Sequence, residues 1–195
     1  MHEIELKAHL EHPEKTEELL SHFAVFSSRC VKNDRYWSIG EKTLRIRRQQ
    51  ADGKETVLIT HKLKKYSGTI ETNQELEFEL PVSAVSVFTA MLEQIGFTCT
   101  AKKQKDTKVY TPHQDLFGTE VLTDVKAVSV ELSVIEPLGS FLEIEVLYPD
   151  EKPDTAAAEQ HVRNAQVIFD TLLSALEIPQ AAIEARPYNE LLALF

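Results

Sequence analysis

Charged and apolar residues alternate along much of this chain, and that pattern limits its fold more than any other sequence feature. At the start, Glu3, Glu5 and Lys7 are separated by single apolar residues. Successive side chains of a β-strand point to opposite faces, so this spacing predicts a strand with one charged and one apolar face. Six further segments repeat the pattern: TLRIRRQ, VLITHKL, QELEFEL, AKKQKDTKV, SVELSVI and FLEIEVL.

The distribution of charge among these strands favours a closed structure over a flat sheet. Acidic pairs occur on some strands and basic pairs on others, so a sheet that curls with its charged faces inward would enclose a shared polar interior. Helical spacing at 13–26, 82–97 and 155–176, with a short helix in YNELLALF, predicts the elements that cover the apolar outer face. We therefore expect an α+β fold: an antiparallel β-barrel with a polar lumen and helices outside, as a single domain over residues 1–195.

Composition excludes several classes of function. The formal net charge of -10 argues against a general binder of nucleic acid or of anionic membranes. No apolar stretch approaches the roughly 20 residues of a membrane span, and acidic residues interrupt the amino terminus where a signal peptide would need an apolar core. Cys30 and Cys99 show no metal-binding spacing. These features predict a cytoplasmic protein with reduced thiols.

The charged residues of the predicted lumen suit a ligand with several negative charges. Arginine binds phosphate oxygens in a bidentate manner and lysine adds point charge. Acidic side chains would repel such a ligand unless a divalent cation lay between them, and Mg²⁺ or Mn²⁺ takes carboxylate and phosphate oxygens. The lumen therefore predicts a site for a metal ion and a phosphate chain. The sequence has no Gly-x-x-x-x-Gly-Lys stretch, so it is not a P-loop protein.

A family resemblance agrees with this interpretation. The stretch EIELK resembles the Glu-x-Glu-x-Lys signature of the CYTH superfamily, the triphosphate tunnel metalloenzymes. It is followed in family order by NDRYW, LRIRR, ITHK, ELEFE, IGF, AKKQK, PLGSFLEIE and RPYNELL. The closing EARPYNELL is similar to the tail of bacterial class IV adenylate cyclases; other members are thiamine triphosphatases, inorganic triphosphatases and fungal RNA triphosphatases. The resemblance implies an eight-stranded antiparallel tunnel with helices outside.

The resemblance also implies roles for individual residues. The implied metal ligands are Glu3, Glu5, Glu143 and Glu145. The residues implied to hold the triphosphate are Lys7, Arg45, Arg47, Lys62, Lys103 and Lys105. Further residues are expected in the lumen, namely Asp34, Tyr36, Glu75, Glu77 and Tyr188. The two glutamates on the middle strand could bind metal or balance the basic residues, and Tyr188 could line the lumen or anchor the tail.

Three positions depart from the family pattern. Ser133 stands where an aspartate is usual, and Glu131 on the same face is the candidate to replace it as a metal ligand. Lys105 stands where the family has an arginine, so bidentate phosphate binding is lost there. The arginine that often precedes the middle acidic strand is replaced by Asn73 or Gln74.

Three functions remain open on the sequence alone. The first is an adenylate cyclase that converts ATP to cyclic AMP and pyrophosphate. The second is a triphosphatase acting on tripolyphosphate, thiamine triphosphate or a nucleotide. The third is a non-catalytic protein that binds polyphosphate or nucleotide, suggested by the departure at Ser133. An open barrel edge would permit a homodimer, and the segment 111–127 has no assigned role.

Overall fold

Eight β-strands account for nearly half of the chain. The computed structural model describes residues 2–51, 53–67, 70–149 and 155–193. Within these ranges, side chains are described for all residues except those at 62–74. The strands β1 to β8 are His2–Leu10, Ala24–Ile39, Lys42–Ala51, Lys54–Ser67, Ile70–Glu79, Thr98–Pro112, Ala127–Ile135 and Gly139–Tyr148. The helices α1 to α4 are Pro13–Leu20, Val85–Gln94, Thr155–Ala175 and Tyr188–Leu192, with 3₁₀ turns at Val82–Ala84, Gln114–Leu116 and Gln180–Ala182.

The strands form a closed antiparallel barrel in the order β1-β5-β4-β3-β2-β6-β7-β8, with β8 paired to β1. The predicted fold class is confirmed. The expectation of an open edge strand is wrong, because every described strand has a neighbour on both sides. A homodimer stays a prediction, without the support of a free edge.

The apolar outer face of β1, β7 and β8 packs against α3. Ile4 and Leu6 are 0% and 1% exposed and share a core with Phe169 and Leu172 of the helix, both 0% exposed. Burial of each such side chain contributes roughly 1.5–3 kcal/mol to folding. The alternation of β1 therefore directs its apolar residues under α3 and its charged residues into the barrel, as the sequence predicts.

A second core lies under α2, on the outer face of β2, β3 and β4. Trp37, Ile46 and Val57 pack there with Val85 and Leu92 of the helix. Gly96 follows the helix with φ +94°, a left-handed conformation that favours glycine at a helix end. None of the described helices is long and apolar enough to cross a membrane.

The predicted helix at 13–26 is too long. The helix α1 ends at Leu20, and Ala24–Phe26 begin β2, where they pair with the end of β6. Phe26 lies edge-on against Tyr110 of that strand, with ring centroids 5.6 Å apart. Strand pairing therefore overrides the helical spacing of the phenylalanines, because local pattern is a weaker determinant than tertiary contact.

The segment that the sequence left unassigned closes over one end of the first core. β6 continues to Pro112, and a 3₁₀ turn follows at Gln114–Leu116. Phe117 is buried in that core, and Leu116 and Val121 pack against it. The role of residues 111–127 is therefore partly structural: they seal apolar surface between β6 and β7.

Candidate active site in the tunnel

A cavity of about 540 Å³ lies inside the barrel. Its walls carry both acidic and basic side chains, most of them on strand positions that the alternation directed inward. The charged residues lining it are Glu3, Glu5, Lys7, Lys32, Glu41, Arg45, Arg47, His61, Glu75, Glu77, Lys103, Lys105, Glu143, Glu145 and Glu190. Tyr36 and Tyr188 line it as well. The Lys62 side chain lies outside the described residues.

Three carboxylates of the tunnel wall come together. Glu3 and Glu5 lie two residues apart on β1, and Glu5 is directly opposite Glu145 on β8. One oxygen from each of the three lies within 4.8 Å of the others. Partial burial, followed by repulsion from Glu131 and Glu143, raises the pKa of Glu145 to about 7. This set of hard oxygen donors fits Mg²⁺ or Mn²⁺, and a divalent ion there would favour the ionised form of Glu145.

The other two predicted metal ligands contact lysines. Lys105 donates hydrogen bonds to Glu131 at 2.6 Å and to Glu143. The second oxygen of Glu131 accepts a hydrogen bond from Lys32, also at 2.6 Å. Burial alone would raise the pKa of Glu131, but Lys105 and Lys32 outweigh burial and lower it well below the usual range. Glu131 is therefore an ionised partner of two ammonium groups and is not part of the three-carboxylate group.

Asp34 holds two cations of the tunnel. Its carboxylate accepts hydrogen bonds from Nε and Nη2 of Arg47 at 2.8 and 3.0 Å, and Lys103 Nζ lies 3.2 Å from it. The Asp34 side chain is 0% exposed. Burial opposes its ionisation, but Arg47 and Lys103 hold its pKa well below the usual range. Burial lowers the pKa of Lys103 to about 7, although Asp34 favours its charged form.

Arg45 is held by polar side chains of β4 and β5. Its Nη2 donates a hydrogen bond to the Thr60 hydroxyl at 3.1 Å and lies 3.9 and 3.7 Å from Glu75 and Glu77. Thr60 in turn donates to Glu77 at 2.6 Å. The middle-strand glutamates thus orient a cation, which is one of the two roles that the sequence left open for them.

The tail reaches into one end of the tunnel. The ring of Tyr188 lies 4.7 Å from Lys7 Nζ and 4.3 Å from Lys103 Nζ, within the range of cation–π contact. Lys7 Nζ also donates a hydrogen bond to the backbone oxygen of Arg186 at 2.6 Å. Tyr188 packs edge-on against Phe141, with centroids 5.1 Å apart. Tyr188 therefore both lines the lumen and anchors the tail.

Lys32 is a residue of the site that the sequence reasoning missed. It lies two positions before Asp34 on β2, so the alternation that placed Asp34 in the lumen also applied to it. Ser133 and Thr107 are buried with their hydroxyl oxygens 3.1 Å apart. Ser133, Asp34 and Glu131 are not among the described residues that line this cavity. Asp34 lines a second cavity instead, together with Lys103.

A closed antiparallel barrel around a cavity lined by charged residues defines a tunnel fold. The chain belongs to the CYTH domain family, whose profile matches residues 1–174. No curated relative matches the sequence.

Solved structures share the fold over nearly the whole chain. The PH1819 protein of Pyrococcus horikoshii OT3 superposes with a TM-score of 0.77 at 23% identity, covering 98% of both chains. A putative adenylate cyclase from Vibrio parahaemolyticus gives 0.63 at 15% identity, covering 98% of this chain and 97% of the other. HpAC1 from Hippeastrum, described as a putative adenylyl cyclase with a dominant triphosphatase activity, gives 0.58 at 18% identity, covering 95% and 90%. At these identities the likeness concerns the fold.

Proposed function

We propose that the protein is a divalent-metal-dependent enzyme that cleaves a triphosphate bound inside the tunnel. One observation carries this proposal: the cavity that contains the three-carboxylate group of Glu3, Glu5 and Glu145 also contains Arg45, Arg47 and the lysines. A polyanion alone would be repelled by the acids, and a metal ion alone would need no basic wall. A metal–triphosphate complex satisfies both sets of charges.

The basic residues would bind and orient the phosphate chain. Asp34 holds the guanidinium of Arg47 through two of its nitrogens, which fixes the direction of the remaining donors. Thr60 accepts one hydrogen bond from Arg45, and Glu75 and Glu77 lie near the same nitrogen. Preorganised cations of this kind stabilise charge that develops on a transferring phosphoryl group without reorganising during the reaction.

The acidic group would hold the metal. Glu3, Glu5 and Glu145 would bind Mg²⁺ or Mn²⁺ directly or through water. A bound divalent ion would supply Lewis-acid stabilisation of the negative charge that develops on the phosphate chain. Glu3 is buried, so electrostatic interactions at this end of the site are stronger than in water.

The lining favours hydrolysis of the triphosphate. Among the described residues, few side chains of the cavity offer an apolar face to a nucleoside, and the ring of Tyr188 is already covered by Lys7 and Lys103. A site that recognises the phosphate chain alone would accept tripolyphosphate, thiamine triphosphate or a nucleotide, with water as the nucleophile.

Adenylate cyclase activity is the second candidate, and the tail favours it. Pro187, Asn189 and Glu190 line the end of the cavity beside Tyr188, where they could contact a ribose or a base. The ribose 3′-hydroxyl would then attack the α-phosphate of ATP and release pyrophosphate. The two reactions differ in where the nucleophile is held, so products distinguish them.

A product assay tests this proposal. We expect the purified protein, given Mg²⁺ or Mn²⁺, to release orthophosphate from at least one of tripolyphosphate, thiamine triphosphate and ATP, as resolved by anion exchange. Cyclic AMP with pyrophosphate from ATP would establish the cyclase. Parallel reactions with EDTA should yield no product. Binding of all three compounds without turnover would contradict an enzymatic role and leave a binding protein.

The low pKa of Lys103 predicts proton uptake when a triphosphate binds. In the empty tunnel Lys103 titrates at about 7, so at pH 8 much of it is neutral. Triphosphate oxygens beside it would favour the ammonium form, so binding at pH 8 should take up close to one proton, and affinity should fall as the pH rises from 6 to 8.5.

Calorimetry in two buffers of different ionisation enthalpy measures this uptake. With tripolyphosphate at pH 8, the wild-type protein should take up more protons than the Lys103→Met variant. The affinity of that variant should also vary less with pH. Equal proton uptake by the two proteins would show that Lys103 does not bind the phosphate chain.

A further inference from the structure

Two carboxylates beside the three-carboxylate group are bridged by an ammonium group of the protein itself. Glu131 and Glu143 are directly opposite each other on β7 and β8. Lys105, on β6, donates a hydrogen bond to each of them, at 2.6 Å to Glu131. Its side chain is 3% exposed. A cation held between two buried carboxylates is the arrangement in which a divalent ion would be bound if the lysine were absent.

This second pair of carboxylates lies next to the first group. Glu143 and Glu145 are two residues apart on β8, so their side chains share a face. Glu143 faces Lys7 and Glu145 faces Glu5 across the β1–β8 pairing. The tunnel therefore holds two neighbouring sets of carboxylates, and Lys105 bridges the second of them.

We propose that the Lys105 ammonium group takes the place of a second divalent cation, so that the tunnel binds one divalent ion on Glu3, Glu5 and Glu145. The part concerning that ion rests on the proposed function; the part concerning Lys105 does not. Lys105 is then a positioning residue of the metal centre, whereas the family resemblance implied a role in holding phosphate.

Charge balance supports this assignment. Glu131 and Glu143 carry two negative charges, and Lys105 and Lys32 supply two positive ones. Lys105 contacts both carboxylates, and Lys32 contacts Glu131 at 2.6 Å. A divalent ion added to this neutral group would place two further positive charges in a buried wall whose two carboxylates are already balanced by ammonium groups, which burial disfavours.

Counting bound Mn²⁺ tests the role of Lys105 without any activity assay. The probe is Mn²⁺ alone, titrated into the ligand-free protein, with free Mn²⁺ measured by electron paramagnetic resonance. We expect one Mn²⁺ per wild-type chain and two per Lys105→Met chain. Methionine has a similar length, lacks the charge and is a poor ligand for a hard cation.

Two further variants control the interpretation. Lys103→Met removes a neighbouring buried lysine that contacts Asp34, and it should bind the same number of ions as the wild type. Adding Glu131→Gln to Lys105→Met should abolish the extra ion. Lys105→Arg keeps a cation between the carboxylates and should bind no more ions than the wild type.

The difference in bound Mn²⁺ between Lys105→Met and the wild type decides the role of Lys105. The number of Mn²⁺ ions bound by the wild type separately tests the proposed metal site. A folded Lys105→Met protein that binds no more Mn²⁺ than the wild type would overturn the inference. If that variant does not fold, the wild type and Lys105→Arg decide the question. Two Mn²⁺ bound by either protein would overturn the inference, and one Mn²⁺ bound by each supports it. No extra ion in Lys105→Met and none in the wild type would contradict both proposals.

Discussion

Replacing Glu3 and Glu5 together by glutamine is expected to lower metal-dependent turnover of a triphosphate by on the order of 10³-fold or more. Both residues belong to the three-carboxylate group with Glu145. Glutamine keeps the size of the side chain but removes the charge that a divalent ion requires. Metal stabilisation of a transition state is worth several kcal/mol, and each ~1.4 kcal/mol corresponds to tenfold in rate.

The measurement is kcat/KM with Mg²⁺ and with Mn²⁺, on whichever triphosphate the wild-type protein turns over. Glu18→Gln is the matched control, because it removes an exposed carboxylate on α1 and should leave the rate unchanged. Circular dichroism would show that the double variant is folded. A double variant with wild-type rates at saturating metal would show that the metal site lies elsewhere.

The sequence predicted the orientation of the strands because that information is local. In β1 each side chain's face follows from its position, so Glu3 and Lys7 could be placed inside and Ile4 outside before any pairing was known. The same rule applies to Lys32, which lies one residue before the NDRYW motif and shares the face of Asp34. The end of α1 could not be read in this way, since the pairing of Ala24–Phe26 with β6 is a contact between distant parts of the chain.

The partners of the charged residues could not be predicted from the sequence. Alternation places Lys105, Glu131 and Glu143 inside, but whether Lys105 meets a phosphate or a carboxylate depends on the register between three strands. A shift of one residue would turn each side chain to the other face. The sequence therefore predicted the composition of the site. The structure was needed to show that Glu3, Glu5 and Glu145 come together and that Lys105 lies between Glu131 and Glu143.

The Asp34→Asn variant of the empty protein is expected to lose about 3–5 kcal/mol of its free energy of unfolding, the usual cost of removing one partner from a buried ion pair. Asp34 is the carboxylate that holds both Arg47 and Lys103. Asparagine fits the same space but leaves the guanidinium without a counter-charge. Lys103 can shed its proton, since its pKa is about 7, so the cost is expected to come mainly from Arg47.

The same variant links stability to ligand binding. Phosphate oxygens can replace the missing carboxylate, so tripolyphosphate should raise the midpoint of thermal unfolding more in Asp34→Asn than in the wild type. Asp106→Asn is the control, because it breaks an exposed pair with Arg29 and should cost less than about 1 kcal/mol. Denaturant unfolding gives the free energies of unfolding, and thermal unfolding with and without tripolyphosphate gives the midpoints. If tripolyphosphate stabilises Asp34→Asn no more than the wild type, the phosphate chain does not contact the cations that Asp34 holds. Arg47 would then be a structural partner of Asp34 and not a phosphate-binding residue.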